Sequence, residues 1–187
     1  MLDNEILLQV YLSEYEKLKE EQVARIGFRD NLLYVTLVLF GGILSFSLAN
    51  KTTISSILVI PCVCIVLGWT YLANDEKITS IGQYIITELA ARIEYLTKKN
   101  SSDSKVFQWE EFNRTRRGRE RRKLAQLVVN ESAFVLSGFV SIFIYFILES
   151  QISLFFLMVS VVEFLLLLVL GVEFIVFADL FDANSNS

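Results

Sequence analysis

The sequence predicts an all-α membrane protein with four transmembrane helices arranged as two hairpins, accompanied by amphipathic helices in the cytoplasm. Three observations predict it. Apolar residues, 53% of the 187-residue chain, gather into four blocks at 32–48, 54–73, 132–148 and 152–178, and no block contains Lys or Arg. Each block is close to the ~17–25 residues that a helix needs to cross a bilayer. The charged residues, 20% of the chain, lie almost entirely outside the blocks. A soluble domain would instead interrupt its apolar runs every few positions. A single Pro leaves long helices unbroken.

The distribution of basic residues sets the threading, because cytoplasmic loops retain Lys and Arg. Four basic residues (Lys17, Lys19, Arg25 and Arg29) precede the first block, and twelve fall within 74–131. The link between blocks one and two holds only Lys51, and the link Glu149-Ser150-Gln151 holds none. Both short links are therefore expected outside, with both termini and the middle region in the cytoplasm. The divisions expected are a cytoplasmic N-terminal helix at 1–31, a transmembrane hairpin at 32–73, a cytoplasmic helical region at 74–131, a second hairpin at 132–178 and a cytoplasmic tail at 179–187.

The N-terminal stretch reads as a helix. Leu8, Tyr11, Tyr15, Leu18, Gln22 and Arg25 recur at spacings of three and four. No breaker stands before the first crossing, so one rod is expected to enter the membrane. After the second crossing, Asn74 and Asp75 read as an N-cap. Ile78, Ile81, Ile85, Leu89, Ile93 and Leu96 then mark an amphipathic helix that requires an apolar partner. Residues 100–104 read as a linker. Phe107, Trp109 and Phe112 form an aromatic cluster suited to packing at the membrane interface or to docking a cytoplasmic protein partner.

Seven basic residues follow within ten positions: Arg114, Arg116, Arg117, Arg119, Arg121, Arg122 and Lys123. They suit inside retention and contact with anionic lipid, at ~1 kcal/mol for each charge near the surface. Without a nucleic-acid-binding motif, the run gives little reason to expect nucleic acid as a partner.

The stretches Ala24-Arg25-Ile26-Gly27-Phe28-Arg29-Asp30-Asn31-Leu32-Leu33-Tyr34-Val35-Thr36 and Asn74-Asp75-Glu76-Lys77-Ile78-Thr79-Ser80-Ile81-Gly82 resemble an uncharacterised family of small bacterial four-span integral membrane proteins. The resemblance implies a bacterial inner (plasma) membrane address and carries over no catalytic residue. In outline the plan is also similar to small membrane effectors of bacterial antiviral systems.

Chemistry is sparse. The chain has no His, so the commonest general base and metal ligand is missing. Cys62 and Cys64 point roughly 200° apart on a helix, which disfavours joint metal ligation and reads as apolar filling. No nucleophile–base pair, phosphate loop or dinucleotide fingerprint occurs. Neither an enzyme nor a cofactor is expected.

Glu163 stands out. It lies about 16 Å of helix rise into the last block, near the bilayer midplane. A lipid-facing ionised carboxylate there is costly, so the side chain is expected to face the bundle. Ser45, Ser47, Thr70, Tyr145 and groups of a second subunit are the candidate partners. Glu173 lies nearer the inner interface and suits a salt link. Gly41, Gly42 and Ser45 in the first crossing, and Ser137, Gly138 and Ser141 in the third, allow close helix approach. These two crossings are therefore expected to pack together.

Three functions fit these features. The chain can be an oligomeric membrane effector or channel-like protein controlled through its cytoplasmic helices. It can be a non-conducting scaffold that recruits a cytoplasmic partner. It can also be a small transporter acting as a multimer.

Overall fold

A computed structural model describes residues 2–49, 51–97 and 119–178. The described residues form helices and turns and contain no strand. Four helices are long and apolar enough to cross a membrane: Asn4–Ala49, Ile54–Thr97, Arg121–Leu148 and Leu154–Phe177. A multi-pass membrane protein is the architecture this supports. The linker at 100–104, Phe107, Trp109, Phe112, Arg114, Arg116, Arg117 and the tail at 179–187 lie outside the described residues.

Helix α1 is a single run, Leu2–Ala49. Gly27 does not interrupt it, since the surrounding turns keep their backbone hydrogen bonds. A 3₁₀ turn, Lys51–Leu58, leads into α2, Val59–Tyr84. Pro61 falls in the first turn of α2, where a missing N–H costs nothing. A π-helical turn, Ile85–Leu89, joins α2 to α3, Ala90–Thr97. Helix α4, Arg119–Asn130, passes through a second π-helical turn, Glu131–Leu136, into α5, Ser137–Leu148. The last helix, α6, spans Leu154–Phe177. Ser153 caps it: its backbone is extended, and its side chain accepts from the Phe156 N–H at 3.4 Å.

The expected helix start at Asn74 and Asp75 is not observed, because α2 runs straight through both residues. Cap propensity is a weak prior, and tertiary contacts override it here. The Asn74 side chain, which a cap would direct to its own backbone, accepts from Arg25 Nη1 at 3.4 Å.

The chain divides into two units. The first comprises 1–28 and 74–119. Its core joins buried Ile85, Leu89 and Ile93 to Leu8, Tyr11, Tyr15, Leu18, Ile81 and Tyr84. Polar ties fix the register. Tyr84 Oη donates to Glu14 at 2.7 Å, and Gln22 Nε2 donates to the Ile78 carbonyl at 3.1 Å. With Arg25–Asn74, the numbers rise along α1 as they fall along α2, which is the pattern of antiparallel helices.

The second unit comprises 29–73 and 120–187. One core cluster contains Leu32, Tyr71, Leu72, Ala133, Phe134, Val135, Leu170 and Phe174. Another contains Ile57, Leu58, Ile60, Cys64, Ile142, Tyr145 and Leu167. Helix α5 packs on the 3₁₀ turn and on α6. On α1 the face turned inward carries Leu32, Thr36 and Ser47, all buried, with Phe40 and Ile43 half-buried between them.

Candidate intramembrane carboxyl site

The inward face of α6 is Ser160, Glu163, Leu167, Leu170, Gly171 and Phe174, at the three-and-four spacing of one helical stripe. The opposite side exposes Leu154, Phe155, Met158, Val161 and Leu165. Glu163 is therefore carried inward by register: it is 3% exposed.

Its partner is Cys62 on α2. The thiol donates to Glu163 Oε1 at 3.0 Å. Glu163 Oε2 is buried and has no hydrogen-bond partner among the described residues. Cys62 itself is exposed on the outer side of α2, whereas Cys64 is buried. The carboxyl thus has one oxygen on a thiol that is itself exposed and the other buried.

Two of the candidate hydroxyl partners, Ser47 and Thr70, bond elsewhere. Ser47 Oγ pairs with Ser56 Oγ at 2.6 Å, and Thr70 Oγ1 donates to the Val66 carbonyl one turn back. Ser45 is exposed. Tyr145 is buried with its ring against Phe146 and Phe156. Ser141 and Ser160 also return their hydroxyls to their own helices, at Gly138 and Phe156.

The glycines that make close contact differ from the expected set. A Cβ on Gly138 would stand 2.6 Å from Leu167 Cδ1 and 2.8 Å from Cδ2. A Cβ on Gly68 would stand 2.6 Å from Leu170 Cδ2. Gly41 and Gly42 have nothing within 4 Å of such a position. The expected seam between crossings one and three is therefore absent at these glycines, which lie off the inward face of α1. Gly138 serves α6 instead. Ser137 is half-buried and donates to the Ser132 carbonyl, five residues back across the π-helical turn.

A second carboxyl with a buried oxygen faces α6 further along the same stripe, and sequence reasoning missed it. Glu131 opens the π-helical turn and lies over Gly171, with Oε2 3.4 Å from where a Cβ would be. Its Oε1 is buried and unpartnered among the described residues, as is Oδ1 of neighbouring Asn130, itself 5% exposed. One turn earlier Gln126 Nε2 donates to Tyr71 Oη at 3.2 Å, and the Arg29 guanidinium stands 5.7 Å from the Tyr71 ring centroid. Glu131 sits at the border between the charged middle region and the third apolar block, where a carboxylate raises no alarm in sequence. Cys62 reads as one more small apolar residue.

The remaining expected sites are placed as follows. Glu173 is half-buried and makes no ion pair among the described residues. Arg121 and Arg122 are exposed and Lys123 is half-buried on α4. Arg119 begins α4. No group of three or more His, Cys, Asp or Glu among the described residues could hold a metal ion.

Comparison of the chain with protein-family models, with curated proteins and with solved structures gives no match. The comparisons therefore give no support to the likeness to small bacterial membrane proteins drawn from residues 24–36 and 74–82.

Proposed function

We propose that the chain is an oligomeric membrane effector or channel-like protein of the bacterial inner membrane, controlled through its cytoplasmic helices. The observation that carries this reading is the Glu163 carboxyl. It is buried in a helix of very high hydropathy, bonded on one side to a thiol, and without a partner on the other among the described residues. An ionisable residue held inside a membrane bundle is a functional-site candidate, and ion and proton pathways are among the roles such residues mark.

The threading proposed has both termini and residues 74–131 in the cytoplasm, with the short links outside. Lipid is then the main partner, and Arg121, Arg122 and Lys123 lie where anionic headgroups can reach them. A four-span chain of this size acts as a pathway most readily as a homo-oligomer.

The test uses the full chain. Its mass in lipid particles is measured, and bacterial cells producing it are followed with a voltage-sensitive dye. An oligomer together with depolarisation supports the reading. A monomer that leaves the membrane potential unchanged overturns it.

A further inference from the structure

We propose that Glu163 and Glu131 are two proton-binding carboxyls on opposite sides of an apolar seal made by Leu167 and Leu170, and that the bundle passes protons when this seal loosens. The inference rests on the channel-like reading and names the ion it conducts.

Both carboxyls address the same stripe of α6. Glu163 is on it, and Glu131 lies over Gly171, eight residues or about 12 Å of helix rise further along. Between them stand Leu167 and Leu170, both fully buried. Each is set into a glycine notch on another helix: Leu167 at Gly138 of α5, and Leu170 at Gly68 of α2. No polar side chain of α6 interrupts this stretch of the stripe. It separates the two acids.

Each acid also retains one buried oxygen without a partner among the described residues: Oε2 of Glu163 and Oε1 of Glu131. A hydronium ion can transfer its proton to such an oxygen and leave as water, and the reverse step releases the proton on the other side. A proton needs one acceptor oxygen. A metal ion needs several ligands, and among the described residues no cluster of three metal-ligating acids or thiols occurs. The donor set therefore favours a proton over a metal cation.

The experiment uses full-length protein in vesicles of phosphatidylethanolamine and phosphatidylglycerol, with a pH dye inside and a potassium diffusion potential. Wild-type vesicles should acidify slowly. Leu167→Ala with Leu170→Ala should speed acidification about tenfold, the effect of lowering a barrier by ~1.4 kcal/mol. Sodium uptake and release of a trapped dye should not change. Glu163→Gln or Glu131→Gln, added to the loosened variant, should restore the slow rate. Acidification that ignores both Gln substitutions, is matched by dye release, or does not rise at all overturns the proposal. If the double Ala variant does not fold, Leu167→Val carries the same comparison. Cells that depolarise through an oligomer whose proton flux ignores both acids would refute this inference and leave the channel-like reading standing.

Discussion

Leu167 of α6 fills the space that Gly138 of α5 leaves by having no side chain. Both methyl groups come within 2.8 Å of where a Cβ would stand, and the Leu167 side chain has no exposed surface into which it could retreat. Gly138→Ala should therefore destabilise the folded chain by roughly 1–3 kcal/mol, the usual cost of overpacking. Thermal unfolding in micelles should show the loss, and Leu167→Ala in the same chain should recover part of it, since contacting residues couple. Gly41→Ala, with open space around it, should leave the unfolding temperature level or raise it slightly.

Cys62 holds Glu163 by a hydrogen bond rather than by bulk. Cys62→Ala removes the one hydrogen bond that Glu163 makes among the described residues and should cost about 1–3 kcal/mol. Cys62→Ser restores a donor of similar size and should recover most of the loss. Paired unfolding curves of the two variants check this. Equal losses would show that the thiol contributes packing only.

In the first unit, Tyr84 donates to Glu14 at 2.7 Å. This hydrogen bond to the carboxylate raises the Tyr84 phenol above its ordinary range. The folded value lies above the unfolded one. The contribution to stability is therefore fully present below the ordinary phenol value near 10 and is lost as pH rises through the folded value. Tyr84→Phe should cost a few tenths to about 1 kcal/mol below that pH, the group being largely solvated. It should also flatten the loss of stability at alkaline pH. Phenol absorbance against pH, compared between wild type and Glu14→Gln, measures the shift directly.

The threading can be read chemically. With Cys62 and Cys64 replaced by Ser, a cysteine placed at Gln151 should react with a membrane-impermeant maleimide added outside intact cells. A cysteine placed at Tyr95, an 82% exposed position on α3, should react only after the cells are opened. The reverse pattern would invert the topology.

Much of this fold was legible because hydropathy acts over whole segments. Four long apolar helices follow from four Lys- and Arg-free blocks, and the unbroken α1 follows from a stretch without a breaker. Single-residue signals travelled less well. Asn74 and Asp75 have cap chemistry, but a helix already under way does not stop for it when Arg25 and Ile78 supply and require tertiary bonds. Small residues mark the possibility of close approach without saying which face turns inward. Gly41, Gly42 and Gly138 look alike in sequence, and only Gly138 meets a neighbour. The Glu163 register was readable from its place on α6. Its bond to Cys62 was not, because helix rotation and depth must both be known to bring residues 101 positions apart within 3.0 Å.

The most direct measurement compares the membrane potential of cells producing wild type and Glu163→Leu at equal membrane levels, together with oligomer size in lipid. If the buried carboxyl is what the bundle is built around, wild type depolarises the cells. Glu163→Leu, inserted normally, either loses that effect or changes the oligomer. Identical depolarisation and identical oligomer size in the two proteins would contradict it.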